Sequence, residues 1–347
     1  MVTATGNLSP MEVVVGSDHC EAPAGGSAVT IGAYDGVHLG HRHLIDRLRQ
    51  MAEDRGLASA VVTFDRHPAT VVRPASAPEL LTDLDQKLEL LATTGVDRTV
   101  VISFDRARAD ESAEDFVEEV LVGALGTRLV VVGEDFHFGH GRNGNVALLS
   151  DMGVARRFEV LGLGLEADAA GEAVSSTRIR ALLAEGRVRD AARLLGRHHQ
   201  VRGVVVHGDG RGGPELGFPT ANIGLPEGIA LPGEGVYACW YERPDGSVHP
   251  AAASLGHRLT FRDGAAAAGR PVLEAFLLDY GGDLYDEPAR VSFVERLRDD
   301  RRFDSVEALV GQMGRDVDHA RAVLAQDRSG PTDDPGPAGG SATALLE

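Results

Sequence analysis

The stretch VTIGAYDGVHLGHRHLIDRL, residues 29–48, runs from a β-branched apolar pattern through three glycines into an amphipathic helical pattern. Gly32 and Gly36 let the backbone turn tightly, and Gly40 lets a bound group come close to the start of the helix. His38 and His41 stand three apart and so share a face of the first helical turn. There the imidazole N–H donors, the unpaired first-turn amides and the positive end of the helix dipole can converge on one triphosphate. A metal pair or two ordinary surface histidines would show the same spacing. Zinc is disfavoured, because no third ligand follows at a recognisable interval.

Outward from this stretch, the runs AVVTF, TVVISF and LVVVGEDF alternate with LIDRLRQMAEDRG, LTDLDQKLELLATTG and AEDFVEEVLVGALG. Such alternation predicts an α/β doubly wound, Rossmann-like parallel sheet with helices on both faces. Ligands of such sheets sit at the carboxyl ends of the strands, where the opening motif lies. After SSTRIRALLAEGRVRDAARLLG, one or two short helices ending at Gly196, the pattern changes. QVRGVVVHG, GVYACWYE, VHPAAASLG, PVLEAFLLDY and ARVSFVERL, separated by Gly, Pro and Asp, predict a small antiparallel β-barrel with a C-terminal helix over 305–324. The expected division is a flexible segment 1–27, a first domain 28–186, a second domain 187–325 and a disordered tail 326–347.

A chain of 347 residues suffices for two such domains. With 43% apolar and 25% charged residues it reads as soluble, and no run approaches the roughly 18 apolar residues of a membrane span. No export signal is visible, so a cytoplasmic location is expected. A net charge of -18 repels polyanions and argues against a nucleic-acid partner. Any phosphate-bearing substrate must then be held by local devices: helix amino ends, backbone amides, a few arginines and a metal ion. Cys20 and Cys239 are too far apart for a disulfide framework or a zinc spacing and read as structural. The sequence does not separate a monomer from a homo-oligomer.

TFDRHP (63–68) and VVGEDFHFG (131–139) end predicted strands and share the carboxyl edge with the histidines. SSTRIR (175–180) puts the Ser176 and Thr177 hydroxyls at a helix start, with Arg178 and Arg180 just inside; capping and phosphate binding are compatible there. In this order, GAYDGVHLGH, TFDRHP, VVGEDFHFG and SSTRIR resemble the N-terminal adenylyltransferase module of the bacterial bifunctional riboflavin kinase/FAD synthetase family. The resemblance implies that ATP binds at Gly32, Tyr34, Asp35, Gly36, His38, Gly40, His41, Ser176, Thr177 and Arg180, with His38 and His41 catalytic. It implies attack of the FMN phosphate on the α-phosphorus of ATP to give FAD and pyrophosphate. Phe64, His67, Pro68, Asp135 and Phe136 are then expected near the flavin. Two positions depart from the family: Tyr34 stands where Phe is usual, and Arg66 where Pro is usual. Arg66 either helps to hold a phosphate or points to solvent.

In the second half, HGDGRGGPELGFPTAN (207–222) is a Gly-rich loop that by itself reads equally as a hairpin. Thr220 and Asn222, at period two, face the same way and offer either turn caps or two hard oxygen ligands suited to Mg²⁺. Glu274, inside the apolar run VLEAFLLDY, is either solvent-facing or kept as a general base. Here too the order GDGRG, LGFPTAN, GVYA, LEAFLLD, DLY and FVERLRDDRRF is similar to the family's riboflavin kinase module. That similarity implies ATP at Gly208, Gly210, Gly217, Pro219, Thr220 and Asn222, and Mg²⁺ at Thr220 and Asn222. Glu274 would deprotonate the ribityl 5′-hydroxyl before its attack on the γ-phosphate. SLGHRLTF departs from the family, with Ser254 where Asn is common and Leu259 in place of Pro, which frees φ beside the kinase site. The resulting expectation is an enzyme that turns riboflavin into FMN and FMN into FAD with ATP. The alternatives are an FAD synthetase with little kinase activity and a flavin-binding protein without turnover.

Overall fold

A computed structural model describes residues 10–164, 167–168, 171–207, 218–257 and 271–327. The chain divides between Ser175 and Ser176 into two compact units.

The first unit is organised by β1 (Glu12–Val15), β2 (Ser27–Ile31), β3 (Ala58–Phe64), β4 (Arg98–Ile102), β5 (Thr127–Gly133), a small hairpin β6 (His137–Phe138) and β7 (Gly144–Asn145), and β8 (Glu159–Leu163). Six of these pair in parallel in the order β1-β4-β3-β2-β5-β8. Alternate residues of the central strands serve opposite layers, as a sheet buried on both faces requires. Val29 and Ile31 of β2 pack with Val130 and Val132 of β5 against Val120 and Leu121. Ala28 and Leu129 face Leu48 and Ala52 of α1 (Leu39–Arg55) on the other side. Gly56, at φ 64°, ends α1 in the left-handed conformation that suits glycine.

The chain steps from β2 to β3 to β4 in one direction and then returns to lay β5 on the free side of β2. This reversal opens a crevice at the carboxyl ends of β2 and β5, the switch point at which open α/β sheets take their ligands. The residues expected to be flexible up to 27 need correction. Val13 to Val15 pair with β4, and Gly16 N–H donates to Val101 O at 2.9 Å. Three consecutive valines beside an open strand edge make a strand even within a Gly/Ala-rich segment.

The second unit holds six antiparallel strands, β9 (His199–Val206), β10 (Ala221–Gly224), β11 (Gly235–Glu242), β12 (Val248–Gly256), β13 (Val272–Leu277) and β14 (Pro288–Arg298). They close into a barrel in the order β10-β13-β12-β11-β14-β9. Small residues make the closure possible. Ala251, Ala253 and Ala275 are fully buried beside the bulk of Tyr237 and Phe293, whose rings meet edge to face at 5.2 Å. The C-terminal helix Val306–Leu324, capped by Ser305, packs Ala320 and Leu324 on Ala238 and Val294. Asp327, placed in the expected tail, is part of this unit: it accepts from Trp240 Nε1 at 2.7 Å and lies 3.0 Å from His198 Nε2.

One barrel histidine titrates against the fold. His199 is buried with Nε2 2.9 Å from Ala230 O, and burial pushes its pKa down to about 4. Its neutral form is therefore favoured in the folded state, so the associated stability is complete above the ordinary pKa near 6.5 and is lost as pH falls toward 4. About 3 kcal/mol of barrel stability should disappear over that interval. Denaturant unfolding followed by Trp240 fluorescence should show this loss in the parent chain and a flatter pH dependence in His199→Gln, which keeps a donor for Ala230.

Candidate active sites

The loop after β2 is held under strain. Gly36 takes φ 82°, as expected for a tight turn, but Tyr34 (φ 48°) and Val37 (φ 37°) share the left-handed region, and Gly32 does not. Such positions persist only where the surroundings over-determine them. Here the opposing segment 81–87, which includes the start of helix α2 (Leu84–Ala92), supplies the constraint. Asp35 Oδ1 accepts from Leu81 N–H at 2.8 Å and Thr82 N–H at 3.2 Å, and Gly36 N–H donates to Thr82 Oγ1 at 3.1 Å. Lys87 Nζ donates to Phe64 O at 2.6 Å and Ala33 O at 3.4 Å. Tyr34 is buried and its hydroxyl meets Thr30 Oγ1 at 2.7 Å, so the polar atom that this ring carries is satisfied. The Tyr34 and Asp35 side chains thus shape the loop from within the protein.

At the end of this loop His38 caps α1, its Nδ1 accepting from His41 N–H at 3.4 Å. The two imidazoles stack at 3.6 Å between centroids, 16° apart, with Tyr34 edge-on to His41. Burial first, then His38 and Lys87, keep the His41 pKa well below the ordinary value. Its buried Nδ1 has no hydrogen-bond partner among the described residues. The first turn of α1 carries no acidic side chain, which leaves its positive end open to an outside anion.

Across the switch point lies a cavity of about 550 Å³. Its wall includes Gly32, Ala33, Phe64, His67, Pro68, Asp135 and Phe136, which brings all five residues expected near a flavin onto one surface. His38 and His41 are not part of that wall. Phe64 meets Phe104 edge to face at 5.2 Å, and Phe136 stacks with Phe138 at 5.4 Å. These aromatic faces suit a flat ring system; Arg73 and Arg142 bring positive charge to the wall, whereas Arg106 and Arg108 are paired there with Asp110 and Glu111. The wall residues Phe104 and Arg142 were missed in the sequence; Phe104, two residues past β4, was within reach of the same strand-end rule. Arg66 lies outside the wall, pairs with Asp65 at 3.2 Å and is 59% exposed, so it extends toward solvent.

In the second unit, α3 (Ser176–Ala184) opens with Ser176, Thr177 and Arg178, and Arg180 follows in the same helix. In the barrel, Asn222 of β10 stands opposite Glu274 of β13, and Glu274 stands opposite Ser254 of β12. Residues opposed in this way share a face, so a carboxylate is flanked by an amide and a hydroxyl across three strands. Ala221 and Ala275, one step along, are buried, whereas Asn222, Glu274 and Ser254 are half-buried on the other face; Thr220, just before β10, is also half-buried. Ser254 is thus a direct neighbour of Glu274. Gly208, Gly210, Gly217 and Leu259 lie outside the described residues. Among the described residues no group of three His, Cys, Asp or Glu side chains is placed to hold a metal, and no helix is long and apolar enough to cross a membrane.

A parallel sheet with an anion-ready helix at its switch point, followed by a barrel with one carboxylate in a polar row, has the features of a two-unit nucleotide-dependent transferase. The sequence profile of FAD synthetases matches residues 20–178, and that of riboflavin kinases matches residues 195–324. The bifunctional riboflavin kinase/FMN adenylyltransferase of Pseudomonas fluorescens is 38% identical over 316 residues, covering 91% of this chain and 98% of that protein. Those of Listeria monocytogenes and Escherichia coli K12 are each 36% identical, covering 86% and 87% of this chain and 92% and 94% of theirs. A crystal structure of a macrolide-efflux protein from Streptococcus pneumoniae is similar at TM-score 0.75 and 28% identity, over 90% of this chain and 99% of that one. The chain belongs to the bifunctional riboflavin kinase/FMN adenylyltransferase family.

The Tyr34–Thr30 pair makes a local test. Tyr34→Phe should cost about 1 kcal/mol by leaving the buried Thr30 hydroxyl unpaired, and adding Thr30→Val should restore most of it. Urea unfolding of the parent, both single variants and the double variant, followed by far-ultraviolet circular dichroism, measures the coupling.

Proposed function

We propose that the two reactions of the family run at separate sites of this chain, adenylyl transfer in the domain of the parallel sheet and riboflavin phosphorylation in the barrel domain. In adenylyl transfer, the triphosphate of ATP lies at the amino end of α1, where Gly36 and Gly40 give it room and His38 and His41 donate hydrogen bonds. Ser176, Thr177 and Arg180 are assigned to ATP by motif alone. The isoalloxazine ring of FMN occupies the aromatic cavity beside Phe64 and Phe136, with His67, Pro68 and Asp135 around it. An FMN phosphate oxygen attacks the α-phosphorus, the bond from that phosphorus to the bridging oxygen breaks, and pyrophosphate leaves. Donors fixed before reaction, in a site partly closed to water, stabilise the charge that grows on the phosphate oxygens. The stacked imidazoles of His38 and His41 at an acid-free start of α1 are the observation that carries this reading.

In the barrel, Glu274 accepts the proton of the ribityl 5′-hydroxyl, whose oxygen attacks the γ-phosphorus of ATP and releases ADP. Thr220 and Asn222 would hold Mg²⁺. Two neutral oxygens beside a carboxylate fit an ion that takes its remaining ligands from phosphate and water, and when bound it offsets phosphate charge. Gly208, Gly210, Gly217 and Pro219 are assigned to ATP by motif alone. Riboflavin, FMN and ATP are the substrates, and the enzyme works in the cytoplasm.

Incubation with ATP, Mg²⁺ and either riboflavin or FMN, followed by chromatography, separates the two activities. Glu274→Gln should lower FMN formation by about a hundredfold or more while FMN still becomes FAD. His41→Ala should do the reverse. Equal loss of both reactions in either variant would refute the separate sites.

A further inference from the structure

We infer that Lys87 is a positioning residue for adenylyl transfer: its buried ammonium ties the end of β3 to the loop after β2 and stands as a fixed cation behind the nucleotide loop. This inference rests on the adenylyl-transfer reading above. Lys87 is 7% exposed, and its Nζ donates to the carbonyls of Phe64 and Ala33, two residues of the cavity wall. A shift of the ammonium therefore moves the floor of the flavin cavity and the start of the strained loop together. Its charge is faced by Asp35 from the loop, Asp65 from the turn after β3 and His41 from α1, with Asp83 and Asp85 at the start of its own helix. Water scarcely reaches the ammonium, so its attraction for the two carbonyls it holds is little screened, while Asp35 and Asp65 take up part of its charge.

Burial lowers the Lys87 pKa to about 8, against the two aspartates that raise it. The ammonium is present at neutral pH and is lost as pH rises through that value, so adenylyl transfer should decline on the alkaline side. A guanidinium at the same place keeps its charge throughout that range.

The test follows kcat and KM for FMN-to-FAD conversion from neutral to alkaline pH in the full chain, with Lys87→Arg, Lys87→Met and His41→Ala. Riboflavin-to-FMN conversion in the same preparations reports the barrel unit, and far-ultraviolet circular dichroism through a thermal ramp reports that the first unit is folded. The parent should lose kcat/KM above pH of about 8, Lys87→Arg should lose that alkaline limb, and Lys87→Met should fall about tenfold or more at neutral pH. A Lys87→Arg profile that keeps the parent's limb, or a Lys87→Met variant with unchanged kcat/KM, overturns the inference. If Lys87→Met also loses kinase activity, the alkaline limb of Lys87→Arg decides alone. Full adenylyl transfer in His41→Ala would instead sink the site reading itself, whereas its loss with both Lys87 variants unaffected sinks only the role of Lys87.

Discussion

The reversal of strand order at β2 is the constraint from which the first site follows. Because β3 lies on one side of β2 and β5 on the other, the connections leaving β2 and β5 diverge and their carboxyl ends stay uncovered. Three segments then have to meet there: the loop that enters α1, the turn after Phe64 and the turn after Gly133. Pairing fixes their heights, since Val29 is level with Ala60 on one side and Val130 on the other. The amino end of α1 and the aromatic cavity are thus products of topology before they are products of individual side chains.

What the side chains add is rigidity. Left-handed conformations at Tyr34 and Val37 cost of the order of 1–3 kcal/mol each and would relax in an isolated loop. The Asp35, Gly36 and Ala33 contacts to residues 81–87 hold them, and the stacked imidazoles are placed before any nucleotide arrives. Preorganisation of this kind spares the reaction the reorientation that free dipoles in water would need. The barrel reaches a similar end by register. Backbone ladders align Asn222, Glu274 and Ser254 without a strained residue at any of the three.

The central strands were legible because burial on both faces demands unbroken β-branched runs, as in Val29–Ile31 and Val130–Val132. The two outer strands were not: β1 sits in a Gly/Ala-rich segment, and β8, interrupted by Gly162, has no fully buried residue. His38, His41, Phe64 and Phe136 could be read from motifs at strand ends. The role of Lys87 could not, because its contacts span 23 and 54 positions and its helix pattern, LTDLDQKLELL, gives no hint that the lysine points inward. Period two placed Thr220 and Asn222 on one side. It said nothing of Ser254, which reaches Glu274 only through strand pairing.

The outermost strand, β1, has a bearing on handling the protein as well. It shields the rim of β4, whose residues Thr99 to Ile102 are almost entirely buried. A chain begun at residue 20, where the FAD synthetase profile starts, would strip that cover and bare a flat row of unsatisfied amides and carbonyls on an apolar ribbon. Neighbouring molecules would then find a template for intermolecular pairing, so trimming to the profile boundary trades a short appendage for precipitation.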